Sequence, residues 1–168
     1  MTNADILNEL IIIYRNEKNI KTLLPYQTSI IETIYSLIQS QQTYLNALKK
    51  NQIIKNIIEQ ELDTAKYFLK EYLKIRIKKL QIYFLTSKDL LSSKEIIFQE
   101  KIVNLYKEKN IYVESEYKNT EYVGFICLKD IKQIFLDKNP VEIKNDDFFV
   151  APLEEVYEYL YNNDIMIV

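Results

Sequence analysis

Several residues in this chain have types and spacings that could do chemistry. Lys66, Lys70, Lys74 and Lys78 stand four apart. On a helix that spacing makes one face, and a row of cations is a possible track for DNA phosphates. Asp63 and Glu71 lie close by with the opposite charge and no base-reading residues accompany the row, so a solvated face is the favoured reading. Glu142, Asp146 and Asp147, with Glu154 and Glu155, could offer oxygen ligands to a metal ion. The plainer alternative is that the Asp pair makes a turn and the Glu pair supports a helix start. Cys127 lies in the apolar run YVGFICL, where a buried inert thiol is expected before a nucleophile. Arg76 lies on an otherwise apolar helix stripe, where it must find an acidic or carbonyl partner or reach solvent along its stem.

The missing residues narrow the field. With His 0, the chain lacks the usual general base near neutral pH and the commonest zinc ligand. Its one glycine, Gly124, cannot build a phosphate-cradling loop. A non-enzyme without metal or cofactor is therefore expected. The formal net charge of −2 gives no global reason for nucleic acid or acidic lipid as the main ligand. The single cysteine rules out an internal disulfide. The absence of a long apolar run, and of a basic-then-apolar N-terminus, predicts a soluble intracellular protein with no membrane role.

The element that must position these residues is a long central helix, expected over Ile57 to Leu85. The stretch has neither Gly nor Pro and is rich in helix formers. Ile58, Leu62, Ala65, Leu69, Tyr72, Arg76, Leu80 and Tyr83 recur at helical spacing and form one stripe. Phe68, Leu73, Ile75, Ile77 and Ile82 widen it beyond what a small domain can cover. One side is expected to pack on the chain's own core and the other on partner subunits. Leu62, Leu69, Tyr72, Leu73, Arg76, Leu80 and Tyr83 are the expected interface residues. On that reading Arg76→Ala weakens assembly. The tyrosines Tyr67, Tyr72, Tyr83, Tyr106 and Tyr112 read equally as interface anchors or as a coding bias.

Around this helix the sequence predicts α+β architecture: a four-helix, mainly antiparallel N-terminal domain over residues 1–112, a polar linker over 113–120, and a small β-rich domain over 121–168. A first helix is expected over Asp5–Asn16, capped by Thr2 or Asn3. A second runs from Pro25, placed in its first turn, to about Lys49. A soft joint near Asn51 leads into the central helix. A fourth starts at Ser92 and Ser93, with Glu95 completing a capping box. Strands are expected over Tyr122–Leu128, Ile131–Leu136, Val141–Lys144, Phe148–Ala151 and Ile165–Val168, with a turn at Asn139-Pro140. Pro152 opens a short helix through Tyr161. A β unit this small is marginal alone and is expected to dock on something larger.

With the elements in place, a family resemblance emerges. The pattern EL-x-x-A-K-Y-F-L-x-x-Y-L-x-x-R-x-K-K-L, Glu61 to Leu80, resembles the signature helix of the Sld-five-type subunit of GINS, the four-subunit assembly of the eukaryotic replicative helicase. Arg15-Asn16-Glu17 followed by Leu23-Leu24-Pro25-Tyr26 is similar to the family's start of the second helix. Phe148 to Val168 looks like its closing strand–helix–strand. Helical domain first and β domain second is also this subunit's order. Lys74 and Gln81 depart from the Arg and Glu often found there, and a Lys cannot make the two-pronged contact of an Arg.

The resemblance implies a non-catalytic scaffold in a heterotetramer, acting in DNA replication in the nucleus. Its implied partners are three other GINS subunits, and the minichromosome-maintenance helicase ring with its companion factor. Contact with DNA would be indirect or weak. A helical scaffold unrelated to replication shares every physical feature except the ordered motifs.

Overall fold

A computed structural model of the chain describes residues 3–48, 52–109, 121–136 and 139–168. Its architecture is helical first and β-rich second. In chain order come α1 (Asn3–Asn19), α2 (Thr28–Ala47), α3 (Gln52–Ile82), α4 (Ser93–Glu108), β1 (Tyr122–Cys127), β2 (Ile131–Leu136), β3 (Asn139–Ile143), β4 (Phe148–Pro152), α5 (Leu153–Tyr161) and β5 (Ile165–Ile167). The Asn51 joint and the linker over 113–120 fall outside the described residues.

The central helix α3 has 31 residues, a rod of about 46 Å. Its buried positions Leu62, Leu69, Tyr72, Arg76 and Leu80 follow the expected stripe, and Lys79 joins them. The rod packs on α1, α2 and α4. Leu10, Ile13, Ile31 and Ile34 close over Leu69 and Tyr72 in one core. Leu23 and Leu91 close over Leu80 in another.

Helix α4 begins as its sequence demands. The Ser92 hydroxyl accepts from the Glu95 N–H, and a Glu95 carboxylate oxygen accepts from the Ser92 N–H at 2.8 Å. Two other helix starts differ from expectation. Helix α1 starts at Asn3, two residues before the expected Asp5, and Thr2, the other expected cap, lies outside the described residues. Pro25 lies outside α2, which starts at Thr28 behind an N-cap at Gln27. The physical reason is that the backbone on either side of Pro25 is engaged elsewhere. The Leu24 carbonyl accepts from Arg76, and the Tyr26 N–H donates to the Leu90 carbonyl at 3.1 Å.

In the β-rich domain β1 lies between β4 and β5, antiparallel to both, while β2 and β3 form a separate antiparallel pair. Asn139-Pro140 is strand and not turn: Pro140 lies opposite Phe135 in β3. A two-stranded ribbon has only edges, where a residue without an N–H is tolerated. Asp146 and Asn163 take the left-handed backbone of tight turns, at φ 69° and 55°.

Alternation along β1 turns Val123, Phe125 and Cys127 inward. They pack with Ile134, Ile143, Val156, Leu160, Ile165 and Ile167. Cys127 is fully buried there, and burial, then the Asp147 carboxylate, push its thiol up to about 11. It is an inert core residue. Ile20 and Leu24, from the connection between α1 and α2, belong to this same cluster. The small β domain is therefore docked on its own helical domain.

Candidate functional site: a buried charge junction and an apolar flank

The residues that resemble a family motif meet at one buried junction. Arg76, one face of α3, is fully buried and uses each of its five N–H donors. Nε donates to Glu95 Oε1 at 2.7 Å and Nη2 to Glu95 Oε2 at 3.2 Å, a side-on two-pronged pair. Nη1 donates to Glu17 Oε2 at 3.0 Å and to the Leu24 carbonyl at 2.7 Å, and Nη2 donates to the Leu90 carbonyl at 2.8 Å. The guanidinium carbon lies 5.2 Å from the Tyr26 ring and 5.6 Å from the Tyr72 ring.

Lys79, one turn on, completes the junction. Its ammonium donates to Glu17 Oε1 at 2.7 Å, to the Thr22 carbonyl at 2.8 Å, and to the Glu17 carbonyl. Two cations thus face two carboxylates, with Glu17 split between Arg76 and Lys79. Burial works against the Arg76 charge, but the Glu95 bond and the Glu17 field outweigh it and hold its pKa above the ordinary value. At Lys79 burial wins over the pull of Glu17, and the pKa is lowered. Burial, then Glu95, push the Tyr26 phenol up to about 12.

The four partners of Arg76 each come from a different element. Glu17 is on α1, Leu24 on the α1–α2 connection, Leu90 in the 3-10 turn Lys88–Leu90, and Glu95 in the first turn of α4. The Glu95 carboxylate caps α4 and grips Arg76 at once. One residue earlier, Asn16 clamps the β domain: Nδ2 donates to the Ile165 carbonyl at 3.3 Å, and Oδ1 accepts from the Ile167 N–H at 2.8 Å. Asn19 adds a bond to the Ile167 carbonyl at 3.1 Å. Charge neutralisation inside the helical domain and docking of the β domain are thus neighbours along α1.

Arg76 therefore meets its need for acids and carbonyls within its own chain, and the expectation that Arg76→Ala acts on assembly now runs through the fold. Of the seven residues expected at an interface, Leu62, Leu69, Tyr72, Arg76 and Leu80 are covered by this chain, while Leu73 and Tyr83 are half-buried. The flank left open on and just after α3 consists of Ile53, Ile57, Tyr67, Ile82 and Leu85, each about half exposed or more.

Sequence reasoning missed Lys79, Glu17 and Asn16 as buried polar residues. Lys79 carried a signal, since it follows Arg76 by three on the same face. The acids carried none, because Glu17 lies 59 positions from Arg76.

Tyr72 offers a sharp check on this packing. Among the described residues its hydroxyl is buried with no partner in good hydrogen-bond geometry, although the Gln27 backbone lies close enough to act on it as a hydrogen-bonding group. Tyr72→Phe is expected to leave stability unchanged or raise it by up to ~1 kcal/mol, because an unsatisfied buried hydroxyl is removed. Thermal unfolding measures this. A loss beyond ~1 kcal/mol would mean that the hydroxyl holds a bond.

The lysine row lies exposed along α3 beside α2. Lys66 Nζ donates to Gln42 Oε1 at 2.9 Å, and Lys74 pairs with Glu71 at 2.6 Å. Three of the acidic candidates for a metal serve their own elements. Asp147 Oδ2 accepts from the Lys144 N–H at 2.9 Å in a turn, and Glu154 and Glu155 lie in the first turn of α5. Among the described residues, no three of His, Cys, Asp and Glu gather where a metal ion could be held.

The architecture is a helical domain followed by a β-rich domain docked on it. The chain is 26% identical to the "DNA replication complex GINS protein SLD5" of Rattus norvegicus and of Mus musculus over 84 residues, and 25% identical to that of Bos taurus. The matched stretch is 50% of this chain and 38% of each of those proteins, so the relationship is distant and partial. No family model matches the chain.

Proposed function

We propose that this chain is the Sld-five-type subunit of a GINS-like assembly. It serves there as a scaffold that joins three companion subunits to the minichromosome-maintenance helicase ring and its companion factor in the nucleus. The observation that carries the reading is the convergence of the quoted motifs on one junction. Glu17, Leu24 and Tyr26 from one motif and Arg76 and Lys79 from another meet in space, with the distant similarity to SLD5 proteins alongside. The open flank of α3, from Ile53 and Ile57 to Ile82 and Leu85, is the surface that companion subunits cover. DNA is reached through them.

The test is affinity purification of the tagged native protein at mild salt, read by mass spectrometry. Recovery of three GINS-like chains with the helicase ring is expected. Recovery of the intact protein with none of these chains would contradict the proposal and favour a scaffold outside replication.

A further inference from the structure

A groove of about 820 Å³ runs between α2 and the later part of α3. Tyr35 and Ile38 from α2 and Leu69, Leu73 and Ile77 from α3 line it, so its floor is apolar. Lys66, Lys70, Lys74 and Lys78 edge it along its length. From Lys66 to Lys78 the edge extends about 18 Å. All four lysines are exposed, and Lys70 and Lys78 take part in no ion pair among the described residues. Their field is felt locally. The Lys74 hydrogen bond, then Lys70 and Lys78, hold the Glu71 carboxyl below its usual range.

An occupant must meet both features. A phosphate backbone would answer the lysines and leave Leu73 and Ile77 facing water. An apolar helix would cover the floor and leave Lys70 and Lys78 without a carboxylate. A helix with a leucine-type stripe flanked by carboxylates one turn apart answers both, because its repeat matches the lysine spacing. We propose that the α2–α3 groove docks an acidic amphipathic helix of a partner protein, its apolar face on Leu73 and Ile77 and its carboxylates against Lys70 and Lys78. The inference rests on the scaffold reading in requiring a protein partner, and it adds the chemistry of that partner.

The probe is a labelled synthetic helix with a Leu stripe flanked by Glu one turn apart, measured by fluorescence anisotropy against the whole chain. Its scrambled sequence and a short DNA duplex are the comparators. Binding to the patterned helix is expected to weaken with added salt, and by about tenfold in the Lys70→Glu/Lys78→Glu variant. Ile77→Asp should remove it while the circular-dichroism spectrum stays unchanged.

No binding, equal binding of the scrambled peptide, indifference to charge reversal, or tighter binding of the duplex would each overturn the proposal. Co-purification separates this result from the scaffold reading. Failure of the peptide with an intact assembly overturns the groove alone. A bound peptide with no assembly partners overturns the scaffold reading alone.

Discussion

Arg76→Ala is expected to remove a large part of the folding free energy of this chain, and so to appear as poor solubility or a sharply lowered unfolding midpoint. The substitution leaves Glu95 without its two-pronged partner and takes one of two cations from Glu17. It also strips donors from the Leu24 and Leu90 carbonyls around a guanidinium that is fully buried. Breaking a buried ion pair typically costs ~3–5 kcal/mol, against a total domain stability of only ~5–15 kcal/mol. Arg76→Lys keeps the charge but not the fork, so an intermediate loss is expected.

Lys74→Ala is the control. It removes an exposed, solvent-screened pair with Glu71, so little change in stability is expected. Denaturant unfolding of the three variants gives the ranking. An Arg76→Ala protein within ~1 kcal/mol of the parent would show that the junction does not hold the helices.

Asn16→Ala carries the second large effect, and a local one. The side chain satisfies the Ile165 carbonyl and the Ile167 N–H from a position that is 2% exposed. Its loss leaves two buried backbone groups without partners, at ~1–3 kcal/mol each. The penalty falls on the seam between α1 and β5 and spares the α3 core. Hydrogen exchange is the fitting measurement. The amide of Ile167 and its neighbours in β5 should lose protection, while amides of α3 near Leu69 keep theirs. Uniform loss across both regions, or unchanged exchange at Ile167, would contradict a separable dock.

What the sequence made legible was local. The α3 stripe from Leu62 to Leu80 follows from helical spacing, and the Ser92–Glu95 box from two residues three apart. Inward and outward residues of β1 follow from alternation. What stayed hidden depends on residues far apart in the chain. Pro25 looked like a first-turn proline because its neighbours' backbone partners, Arg76 and the Leu90 carbonyl, lie on other elements. Pro140 looked like a turn because nothing local says that β3 has a free edge.

The same limit applies at the site. That Arg76 needs acids follows from its place on the stripe, but their identity does not, since Glu95 and Glu17 are 19 and 59 positions away. The row of lysines was legible as a face. Its apolar floor was not, because Tyr35 and Ile38 arrive from α2.

The claim beneath this account is that α3 carries more apolar surface than one chain hides. The chain covers Leu62, Leu69 and Leu80, yet leaves Ile53 72% and Ile82 66% exposed. Light scattering coupled to size-exclusion chromatography of the chain purified alone tests it directly. Self-association or aggregation is predicted, relieved when the native companion subunits are supplied. A clean, monodisperse species at the 20.1 kDa of a single chain, unchanged by concentration or by those companions, would contradict it.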